Sequence, residues 1–98
     1  MKDKVAIITP CLNREHTLQE TANSVLGQTH ANWEWIVVDD GSSDKSWELI
    51  QTLCDQDERI KGILRGQSPK GANSCRNIGV DHASADWLIF LDSDDLIG

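Results

Sequence analysis

The sequence of 98 residues lacks the features that mark several common classes of protein. Its three cysteines, Cys11, Cys54 and Cys75, lie far apart without a Cys-x-x-Cys pair, so neither a zinc site nor a disulfide framework is predicted. Free thiols in a reducing environment are the expected state, which favours a cytoplasmic protein. No apolar run reaches the length of a transmembrane helix, and the N-terminal run is too short for a signal peptide.

Basic residues are also scarce. Nine lysines and arginines stand against 16 aspartates and glutamates, which gives a formal net charge of −7. This balance argues against a surface that binds nucleic acid or anionic lipid in general, and we expect no nucleic-acid partner. The length is typical of one domain, or of half of a larger one, with a modest core. We therefore treat residues 1–98 as a single domain.

Short continuous apolar runs alternate with apolar residues at helical spacing, and this alternation sets the fold class. Pro10 is expected to end the first strand, Asn13 to cap the first helix, and the fourth strand to be buried on both faces. The four tryptophans are expected to pack in the core. The order βαβαβαβ predicts an α/β fold with a parallel sheet and right-handed crossovers. The predicted strands cover residues 5–9, 33–39, 60–64 and 87–91.

Every strand-to-helix turn of such a sheet emerges at the same edge, and ligands bind at that edge. We call this edge, with the turns on it, the rim. The sequence's glycine-rich, proline-bearing and acidic junctions coincide with it. The rim is formed by residues 10–13, 39–43, 65–71 and 92–95.

Three carboxylates, Asp92, Asp94 and Asp95, follow the fourth strand. Such a cluster repels itself unless a cation or protons relieve the charge, and its oxygen ligands suit Mg²⁺ or Mn²⁺ facing phosphate oxygens. The alternative interpretation is an acidic turn that caps a following helix. An EF-hand is excluded because Leu96 and Ile97 stand where further ligands would be required.

Two further rim positions carry candidate binding groups. Asp40 can accept a hydrogen bond from a ribose or a base N–H, with capping of the next helix as the alternative, whereas Asp39 is expected only to cap that helix. The start of the third helix at Gly71, with Arg76, suits a phosphate, although a surface ion pair with a nearby aspartate is the alternative for Arg76. Neither the dinucleotide glycine fingerprint nor a P-loop is present, which removes the commonest rivals for a nucleotide-binding parallel sheet.

Five segments in this order and spacing resemble the family 2 inverting glycosyltransferases over nearly the whole chain. The resemblance implies the GT-A fold, a three-layer αβα Rossmann-like sheet with strand order 3-2-1-4. The segments are residues 7–15 (Ile-Ile-Thr-Pro-Cys-Leu-Asn-Arg-Glu), 24–29 (Ser-Val-Leu-Gly-Gln-Thr), 37–44 (Val-Val-Asp-Asp-Gly-Ser-Ser-Asp), 71–79 (Gly-Ala-Asn-Ser-Cys-Arg-Asn-Ile-Gly) and 90–95 (Phe-Leu-Asp-Ser-Asp-Asp).

The resemblance also implies a nucleotide-diphosphate sugar donor, most often a UDP-sugar, and a Mg²⁺ or Mn²⁺ cofactor. Asp40 falls where the family contacts the nucleobase. Asp94 is the first choice for the metal, with Asp92 for ribose or metal and Asp95 as a substitute ligand. Leu12 stands where the family often has an aromatic residue. The other nucleotide-sugar-binding positions are Pro10, Cys11, Leu12, Asn13, Arg14, Glu15, Gly71, Arg76 and Ser93.

The family's general base is a carboxylate well beyond the metal motif, so the resemblance implies a catalytic base beyond Gly98 and assigns none within residues 1–98. We expect this fragment to bind the donor without transferring sugar to a saccharide, lipid-linked or protein acceptor. The full-length protein is expected to act in cell-surface polysaccharide biosynthesis, in some cases at a membrane. Self-association through an uncovered sheet face is also expected. A non-catalytic nucleotide-binding module remains an alternative, as does a haloacid-dehalogenase-like phosphatase built on residues 91–94.

Overall fold

The computed structural model describes residues 4–28, 32–65 and 71–92, without the side chain of Ala72. Strands and helices alternate, and four strands form one parallel sheet in the order β3-β2-β1-β4, as predicted. None of the helices in this described part is long and apolar enough to cross a membrane. The elements are β1 (Val5–Cys11), α1 (Leu18–Leu26), β2 (Trp33–Asp39), α2 (Ser46–Gln56), β3 (Ile60–Leu64), α3 (Ala72–His82) and β4 (Trp87–Phe90).

Helices cover both faces of the sheet, which confirms the three-layer αβα architecture. Because side chains alternate along a strand, neighbouring residues of β1 and β2 enter different cores. The core on the second face contains Ile8, Ile36, Val38 and Cys75 of α3. The core on the first face is formed with α1 and α2 and includes Ile7, Trp35, Val37, Leu18, Val25, Ile50 and Leu53.

Pro10 does not end β1, and that prediction is wrong. The pairing of β1 with β2 continues past it to Cys11, opposite Asp39. The Cys11 carbonyl accepts a hydrogen bond from Asp40 of the β2 side, so the neighbouring Pro10 turns its backbone nitrogen towards the β4 side. The pairing with β4 stops at Ile8, so the missing N–H of Pro10 lies beyond the last paired residue.

Asn13 does not cap α1, because the helix begins at Leu18 and Thr17 precedes it. The backbone of Asn13 has a φ of 53°, in the left-handed region that asparagine tolerates better than most residues. Its side chain instead accepts hydrogen bonds from the loop after β2, on the rim. Gly27 ends α1, as predicted.

The prediction that the fourth strand is buried on both faces is also wrong. Trp87, Leu88, Ile89 and Phe90 are 60, 43, 42 and 52% exposed, and only the following Leu91 is buried. The cause is position: β4 is the last strand in the sheet order and pairs with β1 alone among the described strands. Neither core includes its residues. Trp87 is therefore a surface residue in this part of the chain.

The other tryptophans follow the prediction of core packing more closely. Trp33 and Trp35 are buried in the first-face core, and Trp47 is half-buried against it. The indole N–H of Trp35 donates to the hydroxyl of Thr9 at 2.9 Å, so its polar atom is satisfied inside the core.

Two glycines mark the closest contacts between helices and sheet. In β3, a Cβ at Gly62 would lie 2.5 Å from Cγ2 of Ile50 in α2. In α3, a Cβ at Gly79 would overlap the side chain of Ile8 in β1. Both layers therefore pack against the sheet at a distance that only glycine permits.

Candidate functional site

The carboxyl ends of the strands meet on one rim, as the predicted topology requires. The N–H of Asp40 donates to the carbonyl of Cys11 at 2.8 Å, and the N–H of Arg65 donates to the carbonyl of Asp39 at 2.9 Å. The N–H of Leu91 donates to the carbonyl of Ile8 at 3.0 Å on the other side of β1. The residues that directly follow β2, β3 and β4 are thus each joined to the neighbouring strand by a backbone hydrogen bond.

The loop after β1 is bound to the loop after β2 through Asn13. Its Oδ1 accepts hydrogen bonds from the N–H groups of Ser43 and Asp44 at 2.8 and 3.3 Å. Its own N–H donates to Oγ of Ser42 at 2.9 Å. Asn13 therefore fixes the spacing of two rim segments rather than starting a helix.

Arg14 and Glu15 extend this contact through their backbones. The N–H of Arg14 donates to Oγ of Ser46 at 2.8 Å, and the N–H of Glu15 donates to Oδ2 of Asp44 at 3.2 Å. Asp44 also accepts the N–H of Ser46, at the first residue of α2. Partial burial opposes ionisation of Asp44, but the hydrogen bonds from Ser46 and Glu15 outweigh it and lower its pKa.

Asp39 belongs to the turn after β2. Its Oδ2 accepts the N–H groups of Gly41 and Ser42 at 3.2 and 2.9 Å, and its Oδ1 accepts the Ser42 hydroxyl at 2.6 Å. Gly41 has a φ of 91°, which the turn requires and which favours glycine. The Asp39 carboxylate thus shapes the turn and does not cap α2, which begins only at Ser46, so the expected role as a helix cap is wrong.

Asp40 is buried, with 5% of the residue exposed, and its carboxylate forms an ion pair with Arg65. It also accepts the N–H of Gly71, at 3.1 Å to Oδ2. Gly71 has a φ of 129° and precedes α3, so the start of that helix is bound to Asp40. The sequence interpretation missed Arg65, although its place directly after β3 puts it on the rim.

Asp92 and Arg76 face each other at the end of β4. Nη2 of Arg76 lies 3.3 Å from Oδ1 of Asp92, and Nη1 of Arg76 donates to Oδ1 of Asn73 at 3.2 Å. The Asp92 side chain is 57% exposed and that of Arg76 33%. The ion pair foreseen as the alternative for Arg76 is therefore present, and its solvent-facing position makes it weak.

The remaining predicted nucleotide-sugar-binding residues, at positions 10–12, differ in their solvent exposure. Pro10 and Leu12 are half-buried, whereas Cys11 is part of the first-face core. Burial, with the negative charge of Asp39, raises the pKa of Cys11 to about 11. Its thiol stays protonated at neutral pH, so Cys11 contributes packing rather than a reactive group.

Three predicted residues, Ser93, Asp94 and Asp95, lie outside the described residues. Gly98, beyond which the catalytic base is expected, also lies outside them, so the place of that base stays a prediction. Within the part of the chain that the structure describes, no three His, Cys, Asp or Glu side chains gather in a way that could hold a metal ion. The described part of the acidic motif is Asp92, whose exposed carboxylate has the oxygen chemistry that a hard cation takes.

Comparison with known proteins shows which curated proteins are similar to this chain in sequence. The Escherichia coli protein named UDP-Glc:alpha-D-GlcNAc-diphosphoundecaprenol beta-1,3-glucosyltransferase WfgD is 46% identical over 92 residues. The alignment covers 94% of this chain and 35% of that protein. This chain spans between 13 and 37% of the length of these curated relatives, among them a Haemophilus influenzae glycosyltransferase that is 42% identical over 93 residues, 95% of this chain and 37% of that protein.

Solved structures agree with the fold. The crystal structure of S. aureus TarS 1-349 in complex with UDP-GlcNAc matches with a TM-score of 0.88 and 28% identity, over 97% of this chain and 28% of that one. The family model described as glycosyl transferase family 2 matches residues 6–97. With sequence, sheet order and rim in agreement, the chain belongs to glycosyl transferase family 2.

Proposed function

We propose that this chain binds the nucleotide-diphosphate sugar donor of an inverting glycosyltransferase, with a UDP-sugar as the donor class. The observation that carries the proposal is the solvent-facing pair of Asp92 and Arg76 at the end of β4, on the rim that also holds Asp40. A carboxylate and a guanidinium open to solvent offer groups for a cation and for phosphate oxygens. The TarS structure with UDP-GlcNAc, at 28% identity, supports the choice of nucleotide.

The nucleoside end of the donor is assigned to the first two rim segments. Asp40 accepts an N–H of the base, and its fixed partners hold the carboxylate in place for this contact. Residues 10–13 line the base and ribose, with Leu12 as an aliphatic wall where the family often has an aromatic residue. Arg14 and Glu15, which are bound to the start of α2 through their backbones, form the outer part of this pocket.

The diphosphate end is assigned to the last two segments. Asp94, with Asp92 and Asp95, would hold Mg²⁺ or Mn²⁺, since carboxylate oxygens are the ligands these ions prefer. When bound, the ion would supply positive charge to the departing diphosphate. Ser93, the start of α3 at Gly71, and Arg76 would bind phosphate or ribose oxygens, and the partly exposed guanidinium of Arg76 is free to turn from Asp92 to an incoming anion.

The proposed reaction of the full-length protein is transfer of the sugar to an acceptor hydroxyl with inversion. A general base must remove the proton of that hydroxyl as it attacks the anomeric carbon. No residue within 1–98 is assigned that role, so we expect the polypeptide of residues 1–98 to bind the donor without transfer.

The acceptor class proposed is a lipid-linked saccharide. The name of the Escherichia coli relative, at 46% identity, specifies a diphosphoundecaprenol-linked acceptor. A protein acting on such an acceptor from the cytoplasmic side would work at the membrane surface and contribute to cell-surface polysaccharide. Free saccharides and proteins are the other acceptor classes for the test.

The proposal is tested by calorimetric titration of UDP and GDP, with and without Mn²⁺, into the protein at its natural length. We expect UDP to bind more tightly with Mn²⁺ and Asp92→Asn to weaken that gain, whereas Asp81→Asn, at an exposed carboxylate of α3, leaves it unchanged. A turnover assay with sugar nucleotides follows. Binding without turnover would favour the non-catalytic module, and release of phosphate from a phosphomonoester would favour the phosphatase.

A further inference from the structure

Arg65 follows β3 directly, and its guanidinium forms an ion pair with the Asp40 carboxylate. The ladder between β3 and β2 fixes the point from which the side chain starts, because the Arg65 N–H donates to the carbonyl of Asp39 at 2.9 Å. Both side chains are largely withdrawn from water, with 19% of Arg65 and 6% of Asp40 exposed. The pair therefore lies inside the rim rather than on its outer surface.

In the described part of the chain, Asp40 has one charged partner and one neutral hydrogen-bond donor. Arg65 forms the ion pair, and the N–H of Gly71 lies 3.1 Å from Oδ2. Burial and the negative charge of Asp40 raise the pKa of Cys75 to about 11, so this thiol stays protonated and adds no charge. Since a buried charge without a partner is costly, Arg65 is the group that makes a buried carboxylate tolerable at this point.

Arg65 and Gly71 also set the direction of the carboxylate. Arg65 follows β3 and Gly71 precedes α3, so the two partners reach Asp40 from separate segments. An ionised carboxylate has about four lone-pair positions, so within the described part of the chain the positions that these two partners leave can take an incoming N–H.

We propose that Arg65 is a positioning residue for donor recognition, which holds the Asp40 carboxylate oriented for the N–H of the nucleobase. The inference rests on the proposed function, since it takes Asp40 as a nucleotide contact. Arg65 acts through Asp40 and needs no contact with the ligand. A substitution at Arg65 should therefore change nucleotide affinity only as long as Asp40 is present.

The test is a double-mutant cycle on UDP affinity in the presence of Mn²⁺, in the protein at its natural length. Arg65→Met should weaken UDP binding about 10-fold or more, the size expected when a hydrogen bond to a charged group is lost. Arg65→Lys should recover part of the affinity, because it restores the charge but not the planar donor group. In the Asp40→Asn background, Arg65→Met should cost less than about 2-fold further.

Arg59→Met is the matched control. Arg59 also forms an ion pair, at 2.7 Å with Asp57, but it precedes β3 at the opposite end of the strands. We expect its loss to leave UDP affinity unchanged, and thermal unfolding curves establish that each variant is folded.

Two outcomes overturn the inference while the proposed function stands: a folded Arg65→Met protein that binds UDP as tightly as the wild type, or losses at Arg65 and Asp40 that simply add. A wild-type protein that binds no nucleotide overturns the proposed function, and the role of Arg65 falls with it. The nucleotide affinity of the wild-type protein thus shows whether the proposed function fails or only the role proposed for Arg65.

Discussion

The side-chain oxygen of Asn13 accepts the backbone N–H of Ser43 at 2.8 Å, across the gap between the loops that follow β1 and β2. Together with the bond from the Asn13 N–H to Ser42, it makes one asparagine the link between two segments assigned to the nucleoside. The left-handed backbone of Asn13, with φ at 53°, aims the side chain at this loop. Local conformation and ligand-site geometry are therefore coupled at a single residue.

Replacement of this link should affect both stability and binding. Asn13→Gly keeps the backbone conformation favourable but removes the side-chain acceptor, so we expect a loss of about 1–2 kcal/mol in the free energy of unfolding, together with weaker UDP binding. Asn13→Ala should lose more, because alanine also strains the left-handed backbone. Urea unfolding and UDP titration measure the two effects. The control Asn23→Ala, at an exposed position of α1, should leave nucleotide affinity unchanged, and equal affinity in Asn13→Gly would contradict the assignment.

Gly79→Ala should destabilise the protein by overpacking. The added methyl group would overlap Ile8 of β1, and forcing extra volume into a packed core costs about 1–3 kcal/mol. Urea unfolding should show this loss, and the double variant Gly79→Ala with Ile8→Ala should be more stable than the sum of the two single losses predicts. Asn77→Ala, at an exposed position of the same helix, serves as the control with little expected change. Strict additivity would show that α3 does not press on β1 at this point.

Glu34 should make stability depend on pH. It is buried at the amino end of β2, where Lys4 lies 2.8 Å from Oε2 and the Ser84 hydroxyl donates at 2.8 Å. Burial opposes its ionisation, but the hydrogen bonds from Lys4 and Ser84 outweigh this and lower the pKa of Glu34 below the ordinary 4.5. Because the folded-state pKa is the lower one, the contribution is complete above the ordinary value and disappears as the pH falls through the folded-state value.

The measurement is urea unfolding of wild type and Glu34→Gln from about pH 7 down to about pH 3. We expect the substitution to cost about 1–3 kcal/mol near neutral pH and the difference between the two proteins to shrink towards acid pH. Glu20→Gln, at an exposed glutamate, should show a small and nearly constant difference. A constant difference for Glu34→Gln over the whole range would mean that this carboxylate contributes nothing to the pH dependence.

The exposed apolar side chains of β4 should make the polypeptide of residues 1–98 associate with itself as its concentration rises. Replacing Phe90, which is 52% exposed, by serine should shift the equilibrium towards monomer in light-scattering measurements. Leu64 is equally exposed at 52% but lies on β3 at the other edge of the sheet, so Leu64→Ser is the matched control and should change nothing. A monomer at all concentrations would exclude this association.

Most of the fold could be predicted from the sequence, because strand and helix patterns are local properties and the family resemblance implied the strand order. The strands Trp33–Asp39 and Ile60–Leu64 match the predicted residues, since each apolar run is bounded by polar or turn residues. The burial of β4 could not be read in the same way. An apolar run is the same whether or not another layer covers it, and the exposure of Trp87 depends on what packs there.

The site residues also differ in whether the sequence could predict them. Asp40 and Asp92 could be predicted because they end strands of a parallel sheet, and the structure places both on the rim. Arg65 could not be singled out, because a lone cation after an edge strand is usually a surface residue. Its contact with Asp40 depends on the register of β3 against β2 and on the course of the Arg65 side chain, which the strand order alone does not give.

At Pro10, β1 is still paired with β2 but no longer with β4. Towards β2 the strand stays paired through Cys11, but towards β4 the last pair is Ile8 with Phe90. A proline cannot donate a backbone hydrogen bond, so β1 and β4 cannot close further in this direction. Within the described residues, the paired part of the sheet therefore ends earlier between β1 and the edge strand β4 than between β1 and β2, at the point where strand order reverses and where ligands of such sheets bind.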